Sequence, residues 1–314
     1  MGLITPNALV LGDARVALTR TARGSIDLIY IDPPFNTGQT RKLDSIELHT
    51  GNARRTGFGG KEYQYRVRSS LGYEDSMPRS EYLQFMEQCL SFAREALNPE
   101  DGSIYVHVGW HVAHEMKLLL DRVFGTGAYI NEIIWAYDYG GRPRNRWAPK
   151  HDYIFWYSRT PGRWIFNPSD IDRLPYMAPG LVGPEKAALG KLPTDVWWMT
   201  IVPTNSKQRT GYPTQKPEKL LERIIRACSH PGQVVLDFFC GAGTTGIVAD
   251  RLNRKWLMVD INPAAIEITR GRLDSQLGML ASYQYVDLTT GVSGGERASA
   301  EIEGQVVHAK DHRS

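Results

Sequence analysis

The chain is poor in cysteine, has no long apolar run and carries almost no net charge. Its 314 residues include three cysteines, Cys89, Cys228 and Cys240, far apart and without metal-ligand spacing. Such usage excludes a disulfide framework and points to a reducing compartment. No stretch approaches the roughly 20 apolar residues that a membrane-spanning helix needs. The segment Met1 to Asp13 lacks the basic-then-apolar order of a secretory signal. His107, His111 and His114 lack the carboxylate context of a metal site, so no metal is expected. The expectation is a soluble cytoplasmic protein built as one large α/β domain with an insertion, or as two modest domains.

A formal charge of +3 does not by itself mark a polyanion binder, but the distribution of charge is more telling. Between Asn36 and Gly72 lie Arg41, Lys42, Arg54, Arg55, Lys61, Arg66 and Arg68, against Asp44, Glu47 and Glu62. A second cluster, Arg142, Arg144, Arg146 and Lys150, encloses Trp147. Basic side chains interleaved with aromatic ones suit a phosphate backbone and unstacked bases. Two solvated loops would have the same composition.

Ser25 to Ile31 is a short β-rich run stopped by Asp32-Pro33-Pro34, since prolines cannot continue a ladder. Asn36 to Met77 is polar and rich in glycine and arginine, and reads as a long functional loop. Helical periodicity follows over Pro78 to Leu97, then a strand over Ser103 to Val108, a helix over Val112 to Phe124 and a strand over Tyr129 to Tyr137. From Asp138 to Tyr212 the alternation breaks down, although Tyr153 to Tyr157 still has strand character, and the stretch reads as an insertion. Alternation resumes with a helix over Pro217 to Cys228, a strand over Val234 to Phe238, a helix over Thr245 to Leu252, a strand over Trp256 to Val259 and a helix over Pro263 to Leu277. Alternating strands and helices argue for an α/β fold with a largely parallel sheet. Residues after Gly291 have no apolar period and read as a disordered tail.

The strand ending at Phe238 runs into Gly241-Ala242-Gly243-Thr244-Thr245-Gly246 and then a helix. Glycines let a backbone approach a ligand closely, and a helix N-terminus offers unpaired N–H groups. Asp260 ends the next strand, where a carboxylate can accept from ribose hydroxyls. These features fit a nucleoside-containing cofactor, and a nicotinamide-dependent dehydrogenase would share them. Asp237, just before the turn, favours a cationic cofactor such as S-adenosyl-L-methionine over a pyrophosphate.

Asp32-Pro33-Pro34-Phe35 also follows a strand, at the edge where ligands gather in open α/β sheets. Methylating an exocyclic amine requires acceptors aimed at its two N–H groups, because its lone pair is delocalised into the ring. Asp32 offers a carboxylate and Pro33 a backbone carbonyl whose direction the prolines fix. Phe35 can stack on a base drawn out of the duplex.

These residues resemble the amino-methyltransferases of bacterial DNA. Asp32-Pro33-Pro34-Phe35 matches their (D/N/S)-P-P-(Y/F/W) tetrad, and Asp237 to Thr245 looks like their cofactor motif. Thr214-Gln215-Lys216-Pro217 resembles the segment that closes over the methionine part of the cofactor. The order, tetrad first and cofactor motif near the C-terminus, is that of the β class, over roughly residues 3 to 285.

The resemblance implies a seven-stranded, Rossmann-like methyltransferase sheet with helices on both faces. It implies S-adenosyl-L-methionine bound by Asp13, Thr214, Lys216, Asp237, Phe238, Cys240, Gly241, Gly243, Thr244 and Asp260. Asp13 is there the contact to the cofactor's adenine. Residues 138–212 become a target-recognition region on double-stranded DNA, with Arg142, Arg144, Arg146, Trp147 and Lys150 as candidate contacts and 36–77 as a mobile DNA-facing loop. A homodimer is the usual assembly. An aspartate-headed tetrad goes mostly with adenine N6 and a serine-headed one with cytosine N4. Cys240 departs from the usual Gly or Ser. No cysteine here follows a proline, as a cytosine-C5 nucleophile would.

Overall fold

The computed structural model describes residues 2–34, 39–49, 55–56, 62–75, 77–203, 206, 208–277 and 283–289, with the backbone alone for 39–75. Phe35 and the tail after residue 289 lie outside them. The elements in chain order begin with β1 (Ala8–Leu11), α1 (Ala14–Thr19) and β2 (Leu28–Ile31). After them come β3 (Gln39–His49), β4 (Arg55–Thr56), β5 (Glu62–Asp75), α2 (Arg79–Ala96), β6 (Ser103–Gly109) and α3 (Ala113–Phe124). The middle of the chain supplies β7 (Tyr129–Ala136), β8 (His151–Ser158), α4 (Pro184–Leu189) and β9 (Val196–Trp198). The last third holds α5 (Glu218–Cys228), β10 (Val234–Asp237), α6 (Thr244–Arg251), β11 (Lys255–Asp260), α7 (Pro263–Leu277) and β12 (Gln284–Asp287).

One sheet takes the order β12-β1-β11-β10-β2-β6-β8-β7-β9. From β12 to β6 all neighbours are parallel, while β8 runs antiparallel to both β6 and β7. The strands β1, β2 and β6 are buried along their whole length, as expected of parallel strands covered on both faces. Side chains alternate between the two faces. Ile29 and Ile31 join Met86, Leu90, Met116 and Leu120 under α2 and α3. Leu28 and Tyr30 join Leu220, Ile224, Ile247 and Leu273 under α5, α6 and α7. The result is a helix–sheet–helix sandwich. Truncating one such residue, Leu90 to Ala, costs about 2–5 kcal/mol.

The sheet has nine strands where the resemblance implies seven. The additional strands are the short edges: β12, of four residues, pairs with β1, and β9, of three, pairs with β7. Each satisfies backbone groups that an open sheet edge would leave to water. Within the stretch 36–77, β3 and β5 pair as a long antiparallel ladder extended by β4. Tyr63, Tyr65 and Val67 alternate with Gln64, Arg66 and Arg68, a period that favours strand. Within 138–212, β8 lies inside the main sheet between β6 and β7, so this stretch contributes to the core of the sheet as well as to its own loops.

The strands β10 and β2 are adjacent and parallel, yet the chain leaves them in opposite directions, from β10 towards β11 and from β2 towards β6. Such a switch point opens a crevice at the C-terminal ends of the strands. Asp237 closes β10 and Asp32 follows β2, which places both carboxylates at its mouth.

Candidate active site

A cavity of about 400 Å³ occupies that crevice, a size suited to a nucleoside-containing ligand. Its walls include Asp32, Pro33 and Pro34 from the end of β2 and Asp13 from the start of α1. Thr214 and Lys216 come from the segment before α5, and Asp237, Phe238, Cys240, Gly241, Thr244 and Asp260 from β10, its turn and β11. Residues as distant in the chain as Asp13 and Asp260 thus meet around one space.

The glycine turn has its shape for identifiable reasons. Gly241 and Gly243 have φ of +50° and +72°, in the region where L side chains are strained. A Cβ on Gly243 would lie 2.4 Å from Thr269 Cγ2, so Gly243 packs the turn against α7 and does not line the cavity itself. Thr269 Oγ1 donates to Gly241 O at 2.9 Å and Arg272 Nη1 to Ala242 O at 2.6 Å. Arg272 is buried and also reaches Glu218, so α7 clamps the turn through two carbonyls.

The carboxylates are held individually. Asp260 accepts from the Gly241 N–H at 2.8 Å and the Asn262 N–H at 2.9 Å, and burial raises its pKa. Asp237 accepts from Thr245 Oγ1 at 2.5 Å and from the Phe239 N–H at 3.1 Å. Burial, with Asp32 and Asp260 adding like charge, pushes it up to about 7. Asp13 caps α1, and both of its oxygens are engaged by Arg15, which holds its pKa below the usual range. The ammonium of Lys216 donates to Asp32 Oδ2 and, at 3.3 Å, to Thr214 O. Asp32 Oδ1 is buried with no hydrogen-bond partner among the described residues. Burial, with Asp260 and Asp237 nearby, keeps the Cys240 thiol protonated, which removes it as a nucleophile.

A cavity with this many carboxylates suits a cationic ligand. It would repel a pyrophosphate. The residues present therefore fit S-adenosyl-L-methionine better than a dinucleotide. Lining residues that the motifs did not reveal include Arg15, Tyr30, Phe85 and Tyr212. A Cβ on Gly241 would sit 3.0 Å from the Tyr212 ring, and only the folded chain makes that neighbour visible.

The basic cluster lies elsewhere. Arg142, Arg144, Arg146 and Trp147 are exposed between β7 and β8, Trp147 almost completely. Arg142 pairs with Asp138 at 2.6 Å. Lys150 Nζ donates to the carbonyls of Tyr139, Gly140 (2.9 Å) and Gly141 (3.1 Å), so it shapes its own loop. None of the five lines the cavity.

The DNA methylase family, whose members modify N6 or N4 amines, matches residues 26–271. The chain belongs to this family. It is 32% identical over 269 residues to the type II methyltransferase M.HpaI of Haemophilus parainfluenzae, covering 85% of this chain and 74% of that one. It is 25% identical to the DNA adenine methyltransferase YhdJ of Escherichia coli K12, covering 85% and 82%. Among solved structures, the cytosine-N4-specific PvuII DNA methyltransferase superposes with a TM-score of 0.60 at 17% identity, covering 91% of this chain and 96% of that one. A putative DNA modification methylase of Thermus thermophilus, complexed with S-adenosyl-L-methionine, does so at 0.55 and 19%, covering 92% and 100%. This DNA methylase is accordingly an enzyme that uses S-adenosyl-L-methionine, and its sheet is the methyltransferase sheet with two short edge strands added.

Proposed function

We propose that this DNA methylase modifies the N6 amine of adenine within a specific sequence of duplex DNA. The observation that carries the reading is Asp32 Oδ1, a buried acceptor in the cavity wall without a partner among the described residues. An exocyclic amine presents two N–H donors, and drawing both towards acceptors makes its nitrogen lone pair available. Asp32 Oδ1 would take one and the Pro33 carbonyl the other, while Lys216 holds the second carboxylate oxygen. Phe35, by its place after the prolines, would stack on the extruded base.

When bound, S-adenosyl-L-methionine supplies an electrophilic methyl group on a sulfonium. Asp237 would hold its ammonium, Asp260 its ribose hydroxyls and the segment at Asp13 its adenine. The hydrophobic wall of Phe85, Phe238 and Phe239 would exclude water from the same space. Alignment, with the acceptors fixed in advance, accounts for the chemistry without a covalent enzyme intermediate. The aspartate at the head of the tetrad supports adenine over cytosine. The loops within 138–212, with Arg142, Arg144, Arg146, Trp147 and Lys150, would read and hold the duplex, and a homodimer is the expected assembly.

The test is transfer of labelled methyl from S-adenosyl-L-methionine to duplex DNA of mixed sequence, followed by nucleoside mass spectrometry. N6-methyladenine is the expected product. N4-methylcytosine would keep the machinery and overturn the base assignment, and absence of label across a broad panel of sequences would overturn the reading.

A further inference from the structure

Behind Asp32 a hydrogen-bonded chain crosses three strands, and the motifs do not account for it. Tyr30, two residues before Asp32 on β2 and on the same face, lines the cavity. Its hydroxyl is 2.8 Å from His107 Nδ1 on β6, and His107 Nε2 is 3.3 Å from Asp152 Oδ2 on β8. Tyr137 donates to the other Asp152 oxygen at 3.3 Å, and Trp135 packs edge-on to the imidazole at 5.3 Å. His107 is fully buried, whereas the Asp152 side chain keeps 15% of its surface.

The order of partners decides the roles. A carboxylate can only accept, so an imidazole facing Asp152 through Nε2 carries its proton there. With its single proton on Nε2, His107 accepts at Nδ1, and the Tyr30 hydroxyl donates to it. The Tyr30 oxygen is left as an acceptor in the wall next to Asp32. Acceptors, not donors, are what an exocyclic amine requires from that wall, and the N–H facing Asp32 Oδ1 would be shared with the Tyr30 oxygen beside it.

We infer that Asp152, His107 and Tyr30 are positioning residues for methyl transfer: Asp152 selects the histidine tautomer, and the tautomer holds the Tyr30 hydroxyl in its acceptor orientation beside Asp32. The electrostatics agree with the geometry. Burial works to raise the Asp152 pKa, but the hydrogen bond from His107 and the nearby Lys216 ammonium outweigh it and keep the carboxyl below its ordinary value. Burial, with Asp32 nearby, keeps the Tyr30 phenol protonated. Asp152→Asn reverses the order, because an amide can donate to Nε2, moving the imidazole proton to Nδ1 and turning Tyr30 away.

The inference rests on the methyltransferase reading, and a double-mutant cycle separates the two. Tyr30→Phe, Asp152→Asn and the double variant are compared with the wild type in single-turnover methyl transfer at saturating cofactor and DNA. Cofactor Kd and thermal midpoint are measured alongside, and the His107 tautomer is read from its ¹⁵N shifts. Each single variant is expected to lose about tenfold in rate, the loss of one well-placed hydrogen bond. Cofactor Kd should stay within about twofold, and the double variant should be no slower than the slower single one. The histidine should be Nε2–H in the wild type and Nδ1–H in Asp152→Asn. Additive losses, a full rate in Tyr30→Phe or an Nδ1–H wild type would overturn the inference while leaving the enzyme a methyltransferase. A wild type that transfers no methyl group would overturn the functional reading and this inference with it.

Discussion

Lys216 and Asp32, 184 residues apart in the chain, form an ion pair in the wall of the cavity that leaves one oxygen of Asp32 buried and without a partner among the described residues. Both side chains are largely buried, with 9% and 15% of their surface left. The resemblance assigns the lysine to the cofactor, and its contact with Asp32 Oδ2 would give it a second task, fixing which oxygen of Asp32 is left for a substrate. Removing one partner of such a pair strands the other charge. Lys216→Met is therefore expected to cost about 2 kcal/mol of stability, most of it recovered when Asp32→Asn is added. Denaturation curves for the two single variants and the double variant measure this, and strictly additive losses would show that the pair does not couple.

Asp237 predicts a pH dependence of cofactor binding. Burial, with its like-charged neighbours Asp32 and Asp260, pushes its carboxyl up to about 7. A bound ammonium favours the ionised form, so cofactor affinity should rise from pH 5 to 7 and level off above. Stability should run the other way. The folded state holds the proton more tightly than an unfolded aspartate of pKa about 3.9, so stability falls as pH rises between those values and is flat above them. Asp237→Asn should flatten both profiles and weaken cofactor binding. Titration calorimetry and melts across this range provide the check.

Gly243 and Gly232 distinguish a crowded turn from a merely left-handed one. Both have positive φ, +72° and +86°, but a Cβ on Gly232 meets nothing within 4 Å whereas on Gly243 it strikes Thr269. Gly232→Ala should cost about 1 kcal/mol. Gly243→Ala should add overpacking of about 1–3 kcal/mol and weaken cofactor binding, because the clamp from α7 is displaced. Equal losses in the two variants would mean that the neighbouring Thr269 relaxes freely.

The exposed arginines are the proposed contacts to DNA. Changing Arg142, Arg144 and Arg146 together to Gln should weaken DNA binding and flatten its dependence on salt, by about 0.9 in log–log slope for each phosphate no longer neutralised. Arg142 is already paired with Asp138, so the change should cost little stability. An unchanged slope would mean that the phosphates are neutralised elsewhere on the protein.

What was legible in the sequence follows from how local each signal is. The runs at Leu28–Ile31 and Val234–Asp237, the amphipathic period of α2 and the glycine turn are written in consecutive residues, and their elements stand within a few residues of the expected positions. The edge strands β9 and β12 are too short to carry a period and exist because a neighbouring ladder offers partners. The tetrad and the glycine turn signalled the cavity, but the relay from Tyr30 through His107 to Asp152 needs the register of three strands. The clamp of Arg272 on Ala242 likewise depends on tertiary packing, with 30 residues between the partners.

The most direct measurement is Asp32→Ala, with cofactor affinity by calorimetry and single-turnover methyl transfer to DNA determined on the same preparation. The expected result is a cofactor Kd within a few-fold of the wild type and a transfer rate reduced by about a thousandfold, as for loss of an acceptor on which the transition state depends. A variant that binds cofactor and still methylates at near the wild-type rate would contradict it and take Asp32 out of the mechanism.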